Sequence, residues 1–163
     1  MQLKKLIMSR EIPTIIVPVI KKGITSTVYL TDELQGKRVI IFGVPGAFTP
    51  TCSEKHLPSY IKLHKNISSK GIDDIYCLSV NDDFVMSAWL LSYAEGDKII
   101  GIADGNGDVT KSLDLLVDKT KNFMGKRSTR FAIIVQNNSI QELFIEKPGE
   151  YKVTSAEYLL NKL

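Results

Sequence analysis

The sequence predicts an α/β fold: a layered domain in which helices flank a central mixed sheet and a β-hairpin leads into it. Two short apolar runs, Val39–Val44 (VIIFGV) and Ile75–Val80 (IYCLSV), have the continuous hydrophobicity of strands covered on both faces, and each precedes a segment of helical periodicity. Turn signals at Lys22-Gly23 and Asn137-Asn138 each separate two β-rich stretches, the pattern of hairpins. The chain of 163 residues has the length of one domain.

Taken in order, Thr14–Val19 is mostly β-branched and Thr25–Leu30 alternates polar with apolar residues, so the first hairpin turns at Lys22-Gly23. Val39–Val44 ends at Pro45-Gly46 and is expected in the middle of the sheet. Leu57, Tyr60, Ile61, His64 and Ile67 then recur at helical spacing until Lys70-Gly71, where glycine suits the position just past a helix. Pro58 removes a backbone donor and crowds the Glu54 carbonyl, which predicts a kink. After Ile75–Val80, Asn81 is the expected N-cap of a helix carrying Phe84, Val85, Ala88, Trp89 and Leu91. Ile99–Ala103 reads as a further strand, and Gly105-Asn106-Gly107 opens into a short helix ending near Val117. Phe131–Val135 and Ile140–Ile145 form the second hairpin. Thr154 and Glu157 have capping-box spacing before a last helix with Tyr158, Leu159 and Leu160. This order makes the sheet parallel where helices cross over and antiparallel at the hairpins. The domain is expected over residues 12–163. Residues 1–11 form a basic extension, with Lys4, Lys5 and Arg10 and no acid before Glu11; it reads either as a frayed terminus or as the remnant of a targeting leader.

Composition narrows the function. A net charge of +3, with both signs interspersed, argues against a nucleic-acid partner. No run approaches the roughly 18 apolar residues of a membrane-spanning helix, so a cytoplasmic or organellar protein without a membrane partner is expected. Two cysteines, Cys52 and Cys77, are too few for a disulfide scaffold and point to a reducing compartment or one with thiol traffic. Neither C-x-x-C nor H-E-x-x-H spacing occurs, so no metal is expected.

The chemistry concentrates in Pro45-Gly46-Ala47-Phe48-Thr49-Pro50-Thr51-Cys52-Ser53-Glu54, which joins the central strand to a helix. Thr51 and Glu54 have capping-box spacing, so Thr51 is the expected N-cap and Cys52 the first helical residue, surrounded by unpaired N–H groups. The positive end of a helix favours thiolate, and thiols so placed titrate below the free value of about 8.5. Cys52 is therefore a candidate nucleophile, provided that solvent reaches its sulfur. The alternative is a small buried residue, the common fate of a free cysteine.

The string Gly43–Tyr60 (GVPGAFTPTCSEKHLPSY) resembles the active-site signature of the peroxiredoxins, P-x-x-x-T-x-x-C, here Pro45, Thr49 and Cys52. The surrounding residues are similar to the type-five, or atypical, subfamily. The resemblance extends from about Ile12 to Leu163 and includes VNDDFVMSAW (Val80–Trp89) and KRSTRFAIIV (Lys126–Val135). It implies a thioredoxin-like fold and an antioxidant thiol peroxidase that reduces hydrogen peroxide, alkyl hydroperoxides and peroxynitrite without metal, haem or flavin. Cys52 then matches the peroxidatic cysteine, Thr49 the hydroxyl that positions the peroxide, and Pro45 the residue that shields the thiolate. Arg130 matches the cation that stabilises it. Spacing alone leaves Lys126, Arg127 and Arg130 as rivals; the resemblance selects Arg130. His56, one helical turn beyond Cys52, reads as structural with a minor part in shaping the pocket. Phe48 and Trp89 read as core, site-shaping or subunit-contact residues.

The sequence departs from many two-cysteine members of the subfamily near the C-terminus, where Lys152-Val153-Thr154-Ser155-Ala156 carries no resolving cysteine. Cys77 lies in an apolar strand and reads as inert, although some plant members use a cysteine at this spacing. The expectation is a one-cysteine cycle with an external reductant, glutathione with glutaredoxin first and thioredoxin second, in a homodimer formed through loops near the site. The competing readings are a protein-disulfide oxidoreductase, which lacks its C-x-x-C here, and a peroxide sensor or chaperone-like redox relay.

Overall fold

The computed structural model describes residues 10–163, so the expected extension lies outside the described residues except for its last two. Those two are tied to the domain: the Ile140 N–H donates to the Arg10 carbonyl, and Glu11 bridges to Ser139. Strands β1 (Ile16–Lys21) and β2 (Ile24–Tyr29) form the first hairpin. Its turn needs φ of 50° at Lys22 and 76° at Gly23, left-handed values that suit a two-residue hairpin loop. β3 (Arg38–Val44), β4 (Asp74–Ser79) and β5 (Ile100–Ala103) follow and pair in parallel. β6 (Leu116–Asp118) and β7 (Lys126–Ser128) make a separate antiparallel pair. β8 (Phe131–Gln136) and β9 (Ser139–Ile145) form the second hairpin, turning at Asn137 and Asn138 with φ of 46° and 66°. The main sheet runs β2-β1-β5-β4-β3-β8-β9, mixed as expected, with β3 interior between β4 and β8.

Both faces of the sheet are covered, which is why the central strands are apolar throughout. Ile40, Phe42, Val44 and Cys77 enter one core cluster, while Val39, Ile41, Tyr76 and Leu78 enter the other. The first cluster is closed by the helices α2 (Leu57–Ser68), α3 (Asp83–Leu91) and α5 (Ala156–Leu160) through Tyr60, Ile67, Trp89 and Leu159. Among the described residues no helix is long and apolar enough to cross a membrane.

Several local expectations are corrected. Helix α1 (Leu30–Leu34), five residues with buried ends, had no periodic signal to announce it. The irregularity at Pro58 is a π turn over Cys52–His56: the Leu57 N–H reaches back to the Cys52 carbonyl one residue further than in an α-helix, while Pro58 has no N–H to donate. The helix after Gly107, α4 (Asp108–Ser112), ends there rather than near Val117, which instead pairs with Arg127. The α3 cap is Asp82, whose carboxylate accepts from the Val85 N–H at 2.8 Å, not Asn81. On α3, Phe84 and Leu91 face solvent, and Met86, Trp89 and Leu90 form the buried side. The α5 cap is Ser155, not Thr154.

Candidate active site

The site forms where β3 ends and the helix carrying Cys52 begins. The chain reverses through Pro45–Phe48, with Phe48 at a φ of 64°, and the first intrahelical bond runs from the Ser53 N–H to the Thr49 carbonyl at 2.9 Å. Thr49 therefore stands where the sequence placed Thr51 as cap. Thr51 is already helical and makes no capping bond. Pro50 occupies the first helical position, where its missing N–H costs nothing. Cys52 thus sits in the first turn, and the N–H groups of Thr51 and Cys52 precede the hydrogen-bond ladder.

Arg130, just ahead of β8, brings its Nη2 to 3.3 Å from the Cys52 sulfur. Its rivals are engaged elsewhere. Arg127 donates to the carbonyls of Met124 and Val80, and Lys126 pairs with Asp118. The second guanidinium nitrogen, Nη1, lies 2.9 Å from His56 Nδ1, and His56 Nε2 lies 3.0 Å from the Thr154 carbonyl. A guanidinium has only donors and a carbonyl only accepts, so His56 carries its proton on Nε2 and is neutral. Burial, and after it the charge of Arg130, lowers the His56 pKa to about 3. His56 is a connecting residue, more than the minor shaping role its spacing suggested.

Thr154 is held in turn by Glu146. This buried carboxylate accepts from the backbone N–H groups of Lys152, Val153 and Thr154 and from the Thr154 hydroxyl, at 2.6 to 3.2 Å. The Glu146 N–H donates to the Arg130 carbonyl at 3.0 Å, which closes a ring from Arg130 through Glu146, Thr154 and His56 back to the guanidinium. Tyr151 flanks it, its ring 6.0 Å from the Arg130 guanidinium carbon. Glu146 was not anticipated, and Asn81 was expected only as a helix cap. Asn81 Oδ1 accepts from the Ala47 N–H at 3.0 Å and from the Ser79 hydroxyl, fixing the loop before Cys52. From α3, Trp89 Nε1 donates to the Ser53 hydroxyl at 3.0 Å and the Tyr93 hydroxyl donates to the Ser53 carbonyl.

Two of the remaining expectations need restating. The Thr49 hydroxyl donates to the Gly46 carbonyl at 2.7 Å, satisfying a turn and leaving its oxygen lone pairs as acceptors. Cys52 is not open to solvent; it has no exposed surface. Arg130 lies between the sulfur and a cavity of about 620 Å³ whose wall also includes Pro45 and Thr51. Cys77, on β4 opposite Phe42, is equally buried, and burial followed by the proximity of Cys52 pushes its thiol pKa up. Both cysteines are free.

Residues 11–160 match the family model described as Redoxin. Peroxiredoxin-2D of Arabidopsis thaliana is 46% identical over 137 residues, covering 84% of this chain and 85% of that protein. Reduced Prx3 from Vibrio vulnificus, solved in complex with H2O2, superposes with a TM-score of 0.89 at 37% identity, over 95% of this chain and 94% of that chain. The antioxidant protein of Plasmodium falciparum, a 1-Cys peroxiredoxin, superposes with a TM-score of 0.86 at 32% identity, over 93% of this chain and 94% of that one. The fold is the thioredoxin-like α/β arrangement expected, and the chain belongs to the redoxin family and, within it, to the peroxiredoxins, which are antioxidant thiol peroxidases.

Proposed function

We propose that Cys52 is the nucleophile of this peroxidase and works in a one-cysteine cycle. The contact that carries the reading is the Arg130 guanidinium at 3.3 Å from its sulfur, a fixed positive charge in a buried setting, opposite in sign to the sulfur anion that attacks. The thiolate attacks the terminal oxygen of a hydroperoxide; an S–O bond forms as the O–O bond breaks. The departing oxygen takes a proton and leaves as water or alcohol, and the sulfur, oxidised by two electrons, remains as sulfenic acid. Arg130 also faces the negative charge that develops on the leaving oxygen. Thr49, its hydroxyl proton committed to Gly46, accepts a hydrogen bond from the peroxide and orients it. Pro45 keeps bulk water from the thiolate. Because Cys52 has no exposed surface, the peroxide enters by displacing side chains of the cavity wall.

An external thiol then condenses with the sulfenic acid, releasing water and forming a mixed disulfide. A second thiol displaces the Cys52 thiolate and leaves as the oxidised reductant. Glutathione with glutaredoxin is the first candidate and thioredoxin the second. The burial of Cys77 and the serine at position 155 support a cycle without an internal disulfide, as does the 1-Cys designation of the Plasmodium falciparum protein. Hydrogen peroxide and alkyl hydroperoxides are the substrates, with peroxynitrite as a further one. A homodimer through the site-side loops is supported by Phe48, Phe84 and Phe123, 58%, 81% and 99% exposed. A cytoplasmic or organellar location is in keeping with the chloroplastic designation of an Arabidopsis thaliana relative.

Stopped-flow mixing of the reduced protein with H2O2, followed by Trp89 fluorescence and mass spectrometry, tests the cycle; Trp89 reports on Ser53, the neighbour of Cys52. Cys52→Ser is expected to abolish turnover and Cys77→Ser to retain most of it, with a sulfenic acid and no disulfide, within or between chains, as the oxidised product. Turnover by Cys52→Ser, or a Cys52–Cys77 disulfide in the oxidised wild type, overturns the reading.

A further inference from the structure

The cavity over Arg130 is far larger than hydrogen peroxide requires, and its chemistry is asymmetric. Its wall carries Lys55, Lys119 and Lys147 besides Arg130. Among the described residues none of these three lysines forms an ion pair. The two carboxylates on the same wall do little to balance them. Glu146 is turned inward onto the 152–154 backbone, and Glu150 lies 3.6 Å from the Lys152 ammonium. Between the cations the surface is apolar, supplied by Pro45, Val117, Ile145 and Pro148. At about 620 Å³ the space falls in the range of small-molecule sites, and a wall that combines apolar and cationic side chains suits an amphiphilic anion.

We infer that this cavity selects organic hydroperoxides that carry a carboxylate: the O–OH end passes Arg130 to the Cys52 sulfur while the carboxylate rests among Lys55, Lys119 and Lys147. The inference rests on Cys52 being the peroxide-reducing sulfur and adds the substrate class. The chemical step is unchanged, since the carboxylate neither gains nor loses a bond. The oxidant is favoured over the reducing thiol as occupant for two reasons. Both cysteines are free, and a free thiol is the form that peroxide oxidises, whereas the reducing thiol meets a sulfenic acid. The sulfur has no exposed surface, so it is approached more readily by a slim O–OH terminus than by the bulkier sulfur of a thiol.

The test measures the second-order rate constant for Cys52 oxidation by cumene hydroperoxide bearing a para-carboxylate and by its methyl ester, which differ little in size but by one charge. The acid is expected to react about tenfold faster than the ester at low ionic strength, with the advantage collapsing in about 0.5 M salt as the cations are screened. In the Lys55→Gln, Lys119→Gln, Lys147→Gln variant the acid-to-ester ratio is expected to fall at least threefold. Salt dependence in the wild type keeps the question decidable should the triple variant misfold. Equal rates for acid and ester, an advantage insensitive to salt, or a lysine effect seen only in the reduction step each overturns the inference. Failure of H2O2 itself to oxidise Cys52 would instead strike the underlying function, and is read separately in the same instrument.

Discussion

His56 should make the fold acid-sensitive below neutral pH. Its imidazole is fully buried, with one nitrogen facing a guanidinium and the other a carbonyl. Protonation would place a second positive charge 2.9 Å from Arg130 without an acceptor, which is why burial and Arg130 lower its pKa from 6.5 to about 3. The unfolded chain binds this proton near pH 6.5 and the folded chain does not, so the unfolded state holds more protons between these values. Stability is then fully present above pH 6.5 and is lost as the pH falls toward about 3. One pH unit of such differential titration is worth about 1.4 kcal/mol, so about 2 kcal/mol of the stability present at pH 8 is gone at pH 5. Urea unfolding of the reduced protein at pH 8, 7, 6 and 5, run beside His56→Asn, measures this. Asparagine keeps an acceptor toward Arg130 and does not titrate, and His64, also lowered by burial, is present in both proteins and cancels. The variant is expected to be less stable at pH 8 but to lose about 2 kcal/mol less on acidification to pH 5. Parallel stability curves for the two proteins over that range would refute the neutral, buried assignment.

Arg130→Met removes the cation that contacts the sulfur; alkylation of Cys52 by iodoacetamide at pH 7 and oxidation by H2O2 are both expected to slow by about a hundredfold or more while far-UV circular dichroism is retained. Gly43→Ala would put a Cβ 2.0 Å from the Phe131 ring, next to Arg130, so denaturant unfolding should show a loss of about 3 kcal/mol or more, or no folded protein. Replacing Phe84 and Phe123 together by Asp is expected to convert the proposed homodimer to monomers in sedimentation at micromolar concentration, because both side chains are exposed apolar surface.

The strands and hairpins of the main sheet were legible because they are announced within a few residues, by two continuous apolar runs and by left-handed turns at Lys22-Gly23 and Asn137-Asn138, whereas the three-residue strands β6 and β7 carry no such signal. Caps were less legible. Asn81, Thr154 and Thr51 each stand beside the residue that caps or near it, and all have capping chemistry; the first two are drawn off by other partners. Asn81 is recruited by Ala47, 34 residues away, and by Ser79, and Thr154 by the buried Glu146, eight residues back. The same holds at the site. Pro45, Thr49 and Cys52 lie in one short segment and could be picked out together. The link between His56 and Arg130 spans 74 residues and is visible only once β8 lies beside β3. Burial of Cys52 was the largest departure, since a helix start in a loop suggests exposure.

That burial bears on reactivity as well as access. A sulfur without exposed surface loses the hydration that would stabilise its anion, so its thiolate depends on fixed groups for compensation. In the proposed cycle the compensation comes from the helix start and from one guanidinium, and the guanidinium is effective only if it stays put and is not itself paired with a carboxylate. The ring through Glu146, Thr154 and neutral His56 meets both conditions: it anchors Arg130 by backbone and side chain, and it does so with an imidazole that burial keeps uncharged. A carboxylate in the place of His56 would bind Arg130 more tightly but would neutralise the charge that the sulfur requires. The acid sensitivity expected of the fold and the reactivity expected of Cys52 therefore have one origin, the choice of an uncharged acceptor to hold a charged donor in a dry site.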